Sequence, residues 1–302
     1  MMFVGVFPIV TGYMSATVSL APGLSVLFVN LTLAILVREK IHHNLPLLIF
    51  HIALLLIILS VSVSRLTYFK GWAIVSEGEI LQQPTGIINE GPWHKNRLTD
   101  STIRQLEFEA YFDENGRRLD TESWMQLSGY EDPILVSNKE TANVGGYQIT
   151  ISNNLGYSVD LSWIPERGDL VSGLLQLPSQ ISQPETQAVR LDLPGVSETI
   201  WIGLEVDSNR KSFFYPSFSV PKEYHFIVDI NGEEYQLKPG NSINIVGGTL
   251  SINTLVPWIG YEMYYDPAIY FLLIASIVAV LSLGYFLNQR LAENHWIQEN
   301  EQ

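Results

Sequence analysis

The chain contains no cysteine. That excludes a disulfide scaffold, a thiolate metal site, an iron–sulfur cluster and covalent haem attachment of the C-x-x-C-H type. Charge is scarce, at 16% of 302 residues, and positive charge is scarcer, with 17 Lys and Arg against 31 Asp and Glu. The segment from Arg65 to Asp266 alone holds 14 bases and 27 acids, so nearly all of the net −14 lies in the middle of the chain. A field of that sign excludes a nucleic-acid partner bound through its phosphates. Also missing are the G-x-S-x-G elbow, the H-E-x-x-H helix, the G-x-x-x-x-G-K-[ST] loop and the G-x-G-x-x-G turn, so self-contained catalysis is not expected. Disorder is excluded by the 47% apolar content.

What is plentiful is apolar sequence in long runs. No charge interrupts Met1 to Val37, and crossing a bilayer takes roughly 20 apolar residues. The start lacks the basic n-region of a cleavable signal. One span is expected over about 20–37, with Met2 to Gly12 as an apolar lead-in broken by Pro8 and Gly12. A second covers about 46–64, 19 uncharged residues behind the potential cap Asn44, or ~28 Å as a helix. The third begins at Asp266-Pro267, carries Tyr264, Tyr265, Tyr285 and Phe286 at its ends like an interfacial belt, and stops before Arg290. The layout is thus an N-terminal membrane region (1–66), an extracytoplasmic domain (67–265), a C-terminal span (266–288) and a cytoplasmic tail (289–302). Orientation rests on the loop Arg38-Glu39-Lys40-Ile41-His42-His43, since clustered bases beside spans stay in the cytoplasm.

The outer domain reads as strands. Leu106, Phe108, Ala110 and Phe112 alternate with Gln105, Glu107, Glu109 and Tyr111, a two-residue period that places the first set inside. Tyr147, Ile149 and Ile151 continue that pattern. Tyr224 to Ile230 and Glu233 to Leu237 flank Asn231-Gly232, the signature of a type I′ hairpin, and Ser242 to Val246 and Thr249 to Ile252 flank Gly247-Gly248. Pro178 to Gln187 is a loop. Asp113, Asn115, Gly116 and Asp120 depart from the calcium-loop spacing and read as a turn. The fold class is a membrane protein with about three transmembrane helices and a large extracytoplasmic all-β, sandwich-like domain inserted before the last helix.

His51 stands out, because an imidazole among Leu47, Leu48, Ile49, Phe50 and Ile52 needs a partner in a solvent that supplies none. Two roles are open. It is either a neutral ring hydrogen-bonded to a neighbouring helix or snorkelling to the interface, or an axial ligand to haem iron. His42 and His43 read as solvated, His94 and His295 as isolated. His225 is expected to face water, opposite Tyr224 and Phe226. Trp93, Trp124, Trp163 and Trp201 read as β-core or rim.

Three stretches resemble the ResB (CcsB) family of the type II cytochrome c biogenesis pathway. In Leu47 to Glu79, an apolar helix holds Phe50-His51 and leads through Tyr68, Phe69, Lys70 and Gly71 to Glu77-Gly78-Glu79. Phe213 to Pro221 leads into the hairpin. In Gly260 to Leu287, Tyr265-Asp266-Pro267 introduces the last span. The resemblance covers most of the chain through short motifs, and it implies a multi-pass protein of the bacterial inner membrane. Such a subunit acts with a ResC (CcsA) partner as a cytochrome c synthase, moving haem across the membrane and presenting it to apocytochrome c. It further implies non-covalent haem b shared between one histidine here, at the His51 position, and one from the partner, which would supply the tryptophan-rich haem site. Members typically have an additional early span, which the stretch before Leu20 is too short to provide. A reading from another class is a membrane-tethered β-sandwich that binds a ligand, or serves as a structural subunit, without haem.

Overall fold

The computed structural model describes residues 16–81, 83–95, 98, 102–179, 188–206 and 217–300. The lead-in Met2 to Gly12 and the segment 180–187 of the expected loop lie outside the described residues, as does 213–216. The chain divides into two compact units, one of Met1–Phe69, Asn89–Lys95 and Tyr265–Gln302, the other of Lys70–Ile88 and Asn96–Tyr264.

The first unit is helical. Helix α1 (Ala16–Val37) contains Pro22, α2 (Glu39–His42) is a single turn, and α3 (Leu45–Thr67) and α4 (Ile269–Asn300) are long. Helix α3 starts where the sequence predicts, because the Asn44 side chain accepts the Leu47 amide at 3.2 Å and Pro46 occupies the first turn, where its missing N–H costs nothing. Two helical stretches, Leu45–Thr67 and Ile269–Ala292, are long and apolar enough to cross a membrane. The expected span over about 20–37 falls on α1, of which Pro22–Val37 forms an apolar helix among the described residues. Apolar side chains of α3 and α4 point outward, with Ile52 44%, Leu56 48%, Phe271 69% and Leu281 67% exposed, a pattern that suits a lipid or protein environment better than water. Small residues are the ones buried, Ala53 and Ser60 on α3 and Ala275, Ala279 and Ser282 on α4, so the backbones approach closely. At the end of α3 Ser64 donates to the Asp266 carboxylate at 2.8 Å, and that carboxylate also accepts the Ala268 amide at 3.0 Å.

The second unit is all β, with fifteen strands among the described residues. They are β1 (Phe69–Ser76), β2 (Ile80–Leu81), β3 (Gly86–Glu90), β4 (Ile103–Phe112) and β5 (Arg118–Leu127), then β6 (Ile134–Ser137), β7 (Ala142–Val144), β8 (Tyr147–Pro165), β9 (Val171–Gln176) and β10 (Ala188–Leu191). The last are β11 (Ile200–Val206), β12 (Tyr224–Ile230), β13 (Glu233–Leu237), β14 (Ser242–Ile245) and β15 (Gly248–Tyr265). They fall into three sheets rather than the two layers of a simple sandwich: β3-β1-β15-β8-β7 with β14 on β15 and β9 on β8, then β10-β11-β12-β13, and β2-β4-β5-β6. The spine is the antiparallel ribbon of β8 and β15, which buries Tyr147, Leu155, Trp163, Leu250, Trp258 and Tyr261.

Turn chemistry is as the sequence predicts. Asn231 and Gly232 hold φ 54° and 93° between β12 and β13, Gly247 holds 93° between β14 and β15, and the Asp113 carboxylate accepts the Asn115 and Arg117 amides at 2.9 and 2.7 Å. Alternation in β4 is different. A bulge between Gln105 and Glu107 shifts the face, so Gln105 is buried while Leu106 is 36% exposed, and only Phe108, Ala110 and Phe112 keep the expected orientation. The buried Gln105 is satisfied by Tyr261, whose hydroxyl donates to its carbonyl oxygen at 2.6 Å and lies 2.6 Å from Ser123 Oγ, joining the two sheets. Glu77-Gly78-Glu79 is a tight turn. Gly78 takes φ 82°, Glu79 accepts the Ser76 amide at 2.9 Å, and Glu77 accepts the Phe108 amide at 3.3 Å.

Two outcomes follow for stability. Tyr261→Phe leaves the Gln105 oxygen only the longer bond from the Ser123 hydroxyl at 3.3 Å and should cost about 1 kcal/mol in denaturant unfolding, whereas Leu106→Ser should cost less than about 0.5 kcal/mol. Equal losses would contradict the bulged register. Burial, outweighing the Phe108 amide bond and reinforced by Glu107, raises the Glu77 carboxyl above its ordinary 4.5. The native state therefore binds more protons there, and the contribution of Glu77 is complete below about 4.5 and lost as pH rises through the raised value. In a pH series of unfolding midpoints Glu77→Gln should remove that fall.

Candidate functional site

His51 lies six residues into α3, ~9 Å from its start at the helical rise of about 1.5 Å per residue. Its Nδ1 is 2.7 Å from the carbonyl oxygen of Leu47, one turn back, and its ring meets Phe50 edge-on with centroids 5.6 Å apart. A carbonyl only accepts, so Nδ1 carries the hydrogen and a neutral ring keeps its lone pair on Nε2. The anticipated polar partner is thus in the same helix, not a neighbouring one. The arrangement leaves one basic nitrogen in an apolar segment, the form an axial iron ligand requires.

Helix α3 presents a second surface on its other side. Ile49, Ala53, Leu56 and Ser60 line a groove of about 470 Å³ closed across by Phe271, Ile274 and Ala275 of α4. At about 100° per residue, Ser60 and His51 project from opposite sides of the helix. The groove and the imidazole are therefore not parts of one site. No acid, base or histidine lines the groove.

The remaining histidines separate clearly. His42 and His43 are exposed around the turn before α3, as expected of solvated residues. His94, expected to be isolated, is instead held: Nδ1 lies 3.2 Å from the Thr67 carbonyl, the ring stacks on Phe69 at 4.9 Å and 22°, and Tyr265 meets it edge-on at 5.4 Å. Gly91 sits tight against the Leu66 carbonyl and donates its amide to Tyr68 at 2.8 Å, which brings His94 to the end of α3. His225 overturns the expectation of solvent exposure. It is 8% exposed, and its Nε2 lies 2.8 Å from the Glu205 carboxylate on the paired strand, because both faces of β12 are covered. The side chain of His295 lies outside the described residues. Trp163 is core, while Trp93 at 65% and Trp201 at 43% exposed are rim. Among the described residues no group of three or more His, Asp or Glu is placed to hold a metal ion.

The sequence reading missed the clamp around His94, since Thr67, Phe69 and Tyr265 come from distant parts of the chain. It also missed Trp72, which packs against Gly86 so closely that a Cβ there would strike the indole. A glycine facing a tryptophan two strand positions from Lys70 was the available signal.

No protein-family model and no curated protein matches the chain. Among solved structures it is similar to one titled cytochrome c haem lyase CcmF, at 12% identity and a TM-score of 0.31, over 95% of this chain and 33% of that one. The chain thus spans about a third of that protein's length, and at this TM-score no residue role is carried over from it.

Proposed function

We propose that the chain is the ResB-like subunit of a cytochrome c synthase, which helps haem cross the bacterial inner membrane and presents it, with a ResC (CcsA)-type partner, for attachment to apocytochrome c. The observation that carries the reading is His51, whose bond to the Leu47 carbonyl leaves Nε2 as the basic nitrogen. Haem is amphipathic, and its two propionates make unaided passage through hydrocarbon costly by several kcal/mol. An apolar span that offers one imidazole lowers that cost by replacing water at the iron while its aliphatic side chains cover the porphyrin. The bound haem supplies the vinyl groups and iron on which the synthase reaction depends; this chain's own part is to bind, orient and release it. The absence of cysteine suits that part, because a thiol near reduced apocytochrome could form mixed disulfides.

In this reading Arg38 and Lys40 face the cytoplasm, α3 runs outward, the β unit is extracytoplasmic and α4 returns. Haem b is cargo held between His51 and a histidine of the partner.

The test is to co-express the chain with a ResC-type subunit, purify the pair in mild detergent and record the visible spectrum. A Soret band is expected with the native chain. Loss of that band and of cytochrome c maturation is expected in His51→Ala, with partial return of the band in His51→Gly on adding imidazole, while His94→Ala keeps it. An unchanged band in His51→Ala refutes the ligand assignment. A colourless native pair leaves the membrane-tethered ligand-binding or structural reading instead.

A further inference from the structure

We propose that the open edge of β3, with the cleft beside it, captures an extended cationic segment of an unfolded polypeptide by strand addition. The proposal is independent of haem binding and concerns a surface of the β unit alone.

Strand β3 ends the order β3-β1-β15-β8-β7, and among the described residues no strand lies on its outer side. An end strand presents a row of unpaired N–H and C=O groups, which proteins normally blunt with charge, proline, a bulge or brevity. Some other edges here do so, since β13 carries Glu233 and Glu234 and β2 and β7 have two and three residues, whereas β9 (Val171–Gln176) is likewise uncharged. Strand β3 is five residues long and ends in Glu90, but its stretch Gly86-Ile87-Ile88 carries no charge or proline. Ile87 and Ile88, on opposite faces of the strand, are 58% and 57% exposed. Only another backbone supplies the repeating donors and acceptors that such an edge lacks, so an extended chain fits it and a compact small molecule does not.

A cleft of about 520 Å³ adjoins this edge, lined by Ile88, Trp72, Trp258, Asn154 and Glu262 among others. Gly86 provides the space against which the Trp72 indole lies, and Trp72 remains 38% exposed. Because side chains alternate along a strand, a chain added to β3 directs every second residue to the cleft side. There the indole face offers apolar contact and cation–π attraction. Glu262 stands at the cleft with its side chain 53% exposed, paired to Lys70 at 3.9 Å, so the local charge is mixed. The wider excess decides the sign: 27 acids against 14 bases between Arg65 and Asp266 favour a cationic segment.

The experiment uses the full chain in detergent micelles without haem. A fluorescein-labelled peptide of alternating lysine and valine is titrated by anisotropy against its glutamate–valine counterpart and against a lysine–valine peptide N-methylated at alternate residues. The lysine–valine peptide should bind and perturb tryptophan emission, and that perturbation should vanish in Trp72→Phe. The glutamate peptide, the N-methylated peptide and the variant Ile88→Lys should each weaken binding about tenfold or more. Should Ile88→Lys fail to fold by circular dichroism, the N-methylated peptide on the native chain decides alone. Equal binding of parent and N-methylated peptides, equal binding of the glutamate peptide, no binding, or dimerisation through β3 in place of binding overturns the proposal. A Soret band retained by Ile88→Lys in the co-expressed pair separates this outcome from the fate of His51.

Discussion

Inside an apolar span, every polar atom must find its partner within the protein, because hydrocarbon offers none. Thr67, Ser62, Ser276 and Ser282 meet that demand in one way, each donating its hydroxyl to a carbonyl one turn back at 2.6–2.9 Å. His51 does the same with Nδ1 and Leu47. The consequence differs because of the side chain's chemistry. A hydroxyl that donates has used its hydrogen and keeps only a weak acceptor, whereas an imidazole that donates from one nitrogen has fixed a lone pair at the other. The constraint that silences the serines is the one that arms the histidine.

The same rule explains where polar groups larger than a hydroxyl sit in the helical unit. Asp266 lies at the head of α4, not within it, and its carboxylate is shared between the Ala268 amide and the Ser64 hydroxyl. Asn44 sits at the head of α3 and accepts the Leu47 amide. Each carboxamide or carboxylate thus closes a helix start, where unpaired N–H groups favour it, and the helix interiors are left to groups that bond to their own backbone.

How much of this was legible in the sequence depended on whether the controlling contact was local. Asn231-Gly232, Gly247 and Asp113 dictate their turns through their own backbone preferences, and each turn is where the sequence places it. The cap at Asn44 acts within three residues and was equally plain. Alternation in β4 was readable only as far as the bulge, since the residue that decides the inward face at Gln105 is Tyr261, brought in from the far end of the chain. His225 was misread for a related reason: a period of two implies one wet face, and β12 has none there. The clamp on His94 is made by Phe69, Thr67 and Tyr265, so no window of sequence contains it.

The two held imidazoles of the helical unit also bear on each other. His94 is tied to the Thr67 carbonyl at the end of α3, and His51 lies near its start. The sixteen residues from His51 to Thr67 correspond to ~24 Å of helix, while two nitrogens bound to one metal each stand about 2 Å from it. These histidines therefore cannot share an iron. The groove shared with α4 offers no ligand either, because it opens on the opposite side of α3 and its lining is aliphatic, aromatic and hydroxyl side chains. Under the proposed function, neither His94 nor the residues lining the groove would join His51 in holding the haem.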